Sequence, residues 1–221
     1  MDRSRVAIVI PAFNESGTVG DVVQRVGAWG RVVVVDDGSS DDTSTRASAA
    51  GAEVVRHDRN LGYDAALNSG FARAAQLGCE YVVTCDADGQ HNAEQIGQFV
   101  DLLDAGYELV LGVRDRFQRV SEKAFAWVGL RLWGMRDPLC GMKAYRIGLY
   151  EKRGRFDTFG SIGTELAVRS VAAGARSIEQ PTKIRDRHDA PRFAHTLVAN
   201  LKIFRALYVL VSLHALGRLA H

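Results

Sequence analysis

Short β-branched runs alternate with stretches of helical apolar spacing along the first half of the chain. Val6–Ile10, Arg31–Val35, Glu53–His57, Tyr81–Cys85 and Leu109–Leu111 predict five strands. Between them, Gly17–Trp29, Asp41–Ala50, Asp64–Leu77 and Ala93–Ala105 predict helices. Strands that are apolar throughout suit a parallel sheet covered on both faces. The expected fold class is therefore α/β, with a doubly wound, mostly parallel sheet. Beyond residue 113 the pattern is less regular. Helices are predicted over Glu122–Met135, Thr164–Ala173 and Ala194–Leu216, an extended run over Ser177–Pro181, and a charged loop over Ile184–Arg192. No internal repeat or linker divides the chain, so residues 1–221 read as one domain with a helix-rich C-terminal elaboration.

Composition alone adds little: 221 residues, 47% hydrophobic and 24% charged, are an ordinary globular balance. The net charge of +2 conceals a division. Residues 1–113 carry 8 Lys/Arg against 17 Asp/Glu, a net −9, and residues 114–221 carry 20 against 9, a net +11. An acidic half suits cations and a basic half suits phosphates, anionic lipid or nucleic acid, so a non-catalytic phosphate- or RNA-binding module stands as the alternative to an enzyme. Cys79, Cys85 and Cys140 have neither metal-ligand nor disulfide-framework spacing, and are expected to be buried thiols in a reducing compartment. Val6–Ile10 is too short for the apolar core of a signal peptide, so no export signal is expected.

In doubly wound sheets, ligands bind beyond the carboxyl ends of the strands. The loop Asp86-Ala87-Asp88-Gly89-Gln90-His91 follows a predicted strand, and residues two apart on an extended chain point the same way. Asp86 and Asp88 can then share one divalent cation, with Gln90 as a third oxygen ligand. Oxygen donors suit Mg²⁺ or Mn²⁺ bridging a diphosphate. The loop Asp36-Asp37-Gly38-Ser39-Ser40-Asp41-Asp42-Thr43 reads equally as a ligand-facing turn or as a turn with a helix cap. Pro11-Ala12-Phe13-Asn14-Glu15, taken by itself, is an ordinary strand-to-helix turn. No Ser/His/Asp or Cys/His arrangement, P-loop, dinucleotide fingerprint or aromatic-basic RNA motif is present, so no nucleic-acid partner is expected.

In their order and spacing, these segments together with Asn60-Leu61-Gly62 resemble the family 2 glycosyltransferases of the GT-A fold. Within it they resemble most the dolichol-phosphate mannosyltransferases and related polyprenyl-phosphate sugar transferases. Gly112-Val113-Arg114, the segment Asp137-Pro138-Leu139-Cys140-Gly141-Met142-Lys143-Ala144-Tyr145-Arg146, and Arg187-His188-Asp189-Ala190-Pro191-Arg192 carry that narrower likeness. The chain departs from the pattern at Gly62-Tyr63-Asp64-Ala65, where many relatives have Gly-Lys-Gly-Ala, and at Ala190-Pro191, where Gly-x-Ser is usual.

The resemblance implies an inverting, metal-dependent transfer of a mannose- or glucose-type sugar from a GDP- or UDP-sugar. The acceptor would be a polyprenyl phosphate, either dolichyl or undecaprenyl; a hydroxyl acceptor is the alternative. Residues 1–113 would bind nucleotide sugar and metal, and residues 114–221 the acceptor. Pro11, Phe13, Glu15 and Asp37 would hold the nucleoside, and Asp86, Asp88 and Gln90 the Mg²⁺ or Mn²⁺. Asp86, Asp88 and Arg114 would be catalytic, and Arg114, Arg187 and Arg192 would bind the acceptor phosphate. Glu165 would cap a helix or act as base toward a hydroxyl acceptor. Ala206–Gly217 offers only 12 residues without a formal charge, short of the ~20 of a span. Together with the aromatic-basic Glu122–Met135 run it fits helices lying on the cytoplasmic face of a membrane, and equally helices packed in a core.

Overall fold

The computed structural model describes residues 2–117, 119–183 and 196–219. The first half alternates strand and helix: β1 (Val6–Ala12), α1 (Val19–Val26), β2 (Arg31–Asp36), α2 (Thr43–Ala49), β3 (Glu53–Arg56), α3 (Tyr63–Gln76), β4 (Tyr81–Thr84), α4 (Gln95–Asp104) and β5 (Leu109–Arg114). The second half adds α5 (Val120–Trp133), β6 (Lys143–Arg146), α6 (Ile147–Arg153), α7 (Glu165–Ala172), β7 (Ser177–Thr182) and α8 (Thr196–Ala215). The seven strands form one sheet in the order β3-β2-β1-β4-β6-β5-β7. All neighbours are parallel except β6, which runs antiparallel between β4 and β5. The expected parallel sheet is present, but β6 and α6 were not anticipated. The predicted charged loop, with Arg187 and Arg192, lies outside the described residues.

Side-chain alternation explains why the strands are apolar throughout. Ala7, Val9, Val33, Val35 and Val82 enter one core, and Val6, Ile8, Ile10, Val32, Val34 and Val83 enter the other. Helix α1 buries Val19, Val22, Val23 and Val26, the i, i+3, i+4, i+7 stripe of a helix on a sheet. Helix α3 lies so close to β1 that a Cβ on Gly70 would fall 2.2 Å from Val9 Cγ1. The three cysteines are buried and free.

Helices α5 and α8 pack side by side in the same direction. Near their N-termini the Ser121 hydroxyl meets Asn200 Oδ1, and near their C-termini Trp133 Nε1 donates to His214 Nδ1 at 3.3 Å. Helix α8 buries Ala199, Ile203, Ala206, Leu207 and Leu210, but leaves Leu201 and Tyr208 69% and 74% exposed. Helix α5 likewise buries Phe125 and exposes Trp127 and Leu130. The uncharged-run count underestimated α8. Lys202 and Arg205 bound that run but do not end the helix, and Leu197–Ala215, at a mean hydropathy of 1.4, is long and apolar enough to cross a membrane by length and composition.

Candidate active site

The C-terminal ends of β1, β2 and β4 carry the acidic loops. Strand β4 ends at Thr84, whose hydroxyl donates to the Gly141 carbonyl at 2.6 Å and accepts from Lys143 N–H at 3.1 Å. This lock belongs to the β4–β6 register, in which Thr84 faces Lys143. It brings Gly141 against the first residue of the carboxylate loop: a Cβ there would fall 2.3 Å from Asp86 Oδ2.

Asp86 is held on both oxygens. The Tyr63 hydroxyl donates to Oδ1 at 3.1 Å, and His91 Nε2 lies 3.1 Å from Oδ2. Burial pushes the Asp86 carboxyl up, but His91, Tyr63 and the charge of Lys143 outweigh it and hold it below the usual value. The group is therefore a carboxylate at neutral pH. The chain turns at Ala87–Asp88 instead of running on extended, so the simple two-residue argument for parallel carboxylates does not describe this loop. Ala87 is nevertheless buried while Asp86 and Asp88 are both partly open to solvent. Asp88 Oδ1 accepts from Gln90 N–H at 3.0 Å. Among the described residues, no third His, Cys, Asp or Glu completes a metal-holding group. Two hard carboxylate donors, both partly open to solvent, fit a Mg²⁺- or Mn²⁺-type ion.

The carboxylates of the β2 loop are engaged locally. Asp36 accepts from Ser39 N–H at 2.8 Å, from the Ser44 hydroxyl and from Arg56 Nη1 at 2.9 Å. Asp37 accepts from the N–H groups of Leu61 and Gly62, each at 2.8 Å, and pairs with His57 Nδ1 at 2.7 Å. A Cβ on Gly38 would fall 2.4 Å from the Arg59 backbone, and its φ is +74°. Glycine is thus required where the two loops meet backbone to backbone. Burial raises the Asp41 carboxyl, but hydrogen bonds from Thr43 and Ser16 bring it down to about 2. Asp37 therefore shapes the Asn60–Gly62 loop. Of the other expected nucleoside residues, Pro11 is buried within β1, and Phe13 is 39% exposed at the rim. Glu15 Oε2 accepts from the Thr18 hydroxyl at 3.0 Å.

In the second half, Arg114 is already paired. Its Nε and Nη2 donate to Asp137 Oδ2 and Oδ1 at 2.7 and 2.9 Å, and Nη1 lies 3.8 Å from Glu122. That fork anchors the start of α5 and the Asp137–Cys140 turn to the end of β5. Lys143 is buried, and its Nζ donates to the carbonyls of Cys140 at 2.5 Å and Gly163 at 3.1 Å. Burial lowers its pKa. Glu165 is fully buried, accepting from Arg153, from Arg169 Nε at 2.8 Å, and from Thr158 N–H at 2.6 Å. These partners tie down α7 and leave Glu165 without the access that a general base needs. Tyr63, His91, Gly141 and Asp137 at the site had no assigned role in the sequence. Each lay in a segment the sequence singled out, His91 in the carboxylate loop, Tyr63 in the departure at 62–65, and Asp137 and Gly141 in the Asp137–Arg146 motif, but nothing local ties Tyr63 to Asp86.

The mixed, mostly parallel sheet with acidic loops at its strand ends defines a GT-A type glycosyltransferase. The chain matches the glycosyl transferase family 2 model over residues 7–153 and belongs to that family. An uncharacterized glycosyltransferase of Mycobacterium tuberculosis is 32% identical over 191 residues, covering 81% of this chain and 84% of the relative. The undecaprenyl-phosphate 4-deoxy-4-formamido-L-arabinose transferase of Yersinia enterocolitica is 30% identical over 167 residues, covering 66% of this chain and 50% of the relative. The chain spans about half the length of that transferase and of another curated relative. The crystal structure of M. tuberculosis glucosyl-3-phosphoglycerate synthase with Mn²⁺, UDP and glucosyl-3-phosphoglycerate superposes with a TM-score of 0.75. It is 21% identical, covering 93% of this chain and 79% of that one, which is a likeness of fold.

Proposed function

We propose that this glycosyltransferase moves a sugar from a nucleotide diphosphate sugar, GDP- or UDP-linked, to a polyprenyl phosphate at a membrane surface, with inversion. The observation that carries the lipid acceptor is the position of the α5–α8 face. Glu122, in the first turn of α5, reaches Arg114 at the C-terminal end of β5. The N-termini of both helices therefore start at the edge of the sheet that bears the acidic loops. From that edge the exposed apolar side chains Trp127, Leu130, Leu201 and Tyr208 extend along the pair, with Lys123, Arg131, Lys202 and Arg205 exposed beside them. Apolar side chains flanked by cations suit an anionic leaflet. The Yersinia relative's undecaprenyl-phosphate acceptor supports the same reading.

In this reading Asp86 and Asp88, with Gln90, hold Mg²⁺ or Mn²⁺ at the donor diphosphate, and Phe13 and the Asn60–Gly62 loop receive the nucleoside. The bound ion would supply Lewis-acid neutralisation of the diphosphate leaving group. A lipid phosphate is already ionised near neutral pH, so its attack needs no general base, consistent with the enclosure of Glu165. The basic segment containing Arg187 and Arg192 would bind that phosphate. Arg114 would contribute by holding the Asp137–Cys140 turn in place. The enzyme would work on the cytoplasmic face of the membrane, where nucleotide sugars are available.

The test is transfer of radiolabel from UDP- and GDP-sugars with vesicles containing undecaprenyl or dolichyl phosphate, with and without EDTA. EDTA-sensitive movement of label into the organic phase is expected. Label that moves only to a soluble acceptor overturns the lipid reading, and EDTA-insensitive transfer overturns the metal.

A further inference from the structure

The departure at Gly62-Tyr63-Asp64-Ala65 places two unusual side chains at the start of α3, and both are engaged. The Tyr63 hydroxyl donates to Asp86 Oδ1 at 3.1 Å. Asp64 turns the other way and accepts from Ile162 N–H at 3.1 Å and Gly163 N–H at 2.6 Å. Those two residues form a left-handed pair, with φ of +58° at Ile162 and +72° at Gly163. A β-branched residue in that region is strained and stays there only when its surroundings hold it. The turn is held from both ends of its peptide groups: Asp64 takes the N–H groups, and Lys143 Nζ donates to the Gly163 carbonyl at 3.1 Å. It also lies on the Tyr63 ring, for a Cβ on Gly163 would fall 3.0 Å from Tyr63 Cε1.

We infer that Tyr63 is a positioning residue for the metal carboxylate Asp86, and that Asp64 acts through it by fastening the Ile162–Gly163 turn over its ring. Where the resembled relatives place a flexible cation, this chain uses a neutral phenol whose ring is fixed by packing. The hydroxyl then holds Asp86 Oδ1 while His91 meets Oδ2, so the carboxylate keeps one orientation before any ion arrives. Such preorganisation reduces the ordering needed on binding and strengthens the ion's affinity. The inference rests on the proposed metal role of Asp86.

The test measures Mn²⁺ affinity in the presence of UDP by the electron paramagnetic resonance signal of free Mn²⁺, on wild type, Tyr63→Phe, Asp64→Ala and the double variant. Tyr63→Phe removes only the hydroxyl and should weaken Mn²⁺ about tenfold, the low end for a bond to a charged group, in a protein that still folds and melts cooperatively. Asp64→Ala should weaken Mn²⁺ in the same direction. In the Tyr63→Phe background it should add less than twofold, because its effect passes through the missing hydroxyl. Wild-type Mn²⁺ affinity in folded Tyr63→Phe, or additive losses in the double variant, would overturn the inference. No Mn²⁺ binding by wild type with UDP would instead remove the metal reading, and this inference with it.

Discussion

Gly141→Ala tests whether the β4–β6 junction sets the position of the metal carboxylate. The added Cβ would start 2.3 Å from Asp86 Oδ2 and 2.9 Å from Asp86 Cγ. A close C···O contact is about 3.3 Å, so one partner must retreat by roughly 1 Å. The Gly141 backbone is fixed by its carbonyl bond to Thr84, leaving the Asp86 side chain to yield. Its retreat would break the Tyr63 and His91 contacts and misplace a donor that must meet the ion. A displacement of about 1 Å at a reacting centre costs on the order of 10²-fold in rate. Gly141 carries no left-handed backbone, so alanine adds no conformational strain, and the melting temperature should fall by only a few degrees. Initial rates of sugar transfer at saturating donor, measured over a range of Mn²⁺ concentrations, should show lower kcat and a higher Mn²⁺ requirement. A folded Gly141→Ala enzyme with wild-type rates at limiting Mn²⁺ would refute this account of the junction.

Asp88→Asn should abolish transfer with the melting temperature unchanged, because an amide supplies no charge to hold the ion; full activity at limiting Mn²⁺ would remove Asp88 from the metal site. Trp127→Glu combined with Tyr208→Glu should weaken cosedimentation with anionic vesicles at least tenfold, and high salt should release the wild type; equal binding by the variant would show that this face does not meet the membrane. Arg187→Ala and Arg192→Ala should each cost about 1.5–3 kcal/mol, roughly ten- to hundredfold, in kcat/KM for polyprenyl phosphate while leaving UDP affinity intact. Burial and the neighbouring Asp157 push the Asp64 carboxyl up to about 6. The folded state therefore holds this proton more tightly than the unfolded chain, and the associated stability is lost as pH rises from about 4 through about 6. Thermal melts across that range should show a pH dependence that Asp64→Asn removes; parallel curves for the two proteins would show that Asp64 titrates normally.

The parallel part of the sheet was readable because its strands are short, β-branched and buried on both faces, as Val32–Val35 shows. Strand β6 was not. Lys143-Ala144-Tyr145-Arg146 begins and ends on a cation and offers only two apolar residues, too few for either periodicity. Tertiary placement decides there: Lys143 is buried because its ammonium finds two carbonyls. Asp86 and Asp88 stood out because they are close in sequence, whereas the groups that orient Asp86 come from positions 63, 91 and 141. The β2 loop was left open between ligand and turn; the structure bonds Asp36 and Asp41 to residues of that loop and Asp37 to the Asn60–Gly62 loop. Glu165 illustrates a different limit. A carboxylate at a helix start suits a cap or a base, and only the arrival of Arg153 and Arg169 makes it the centre of a buried ion cluster.

The antiparallel insertion of β6 also governs how the protein can be made. On a ribosome, β1 to β5 emerge before residue 143, so β4 and β5 must wait with facing edges unpaired. Unpaired strand edges are templates for association with other chains. Arg114 is the last residue of β5, and a fragment ending there would contain every acidic loop yet lack the strand that joins its two sheet pieces. Such a fragment should aggregate instead of binding nucleotide, and splitting the gene between β5 and α5 would not yield two working pieces. A split that keeps the sheet whole has to fall after Thr182, once both β6 and β7 have joined β5.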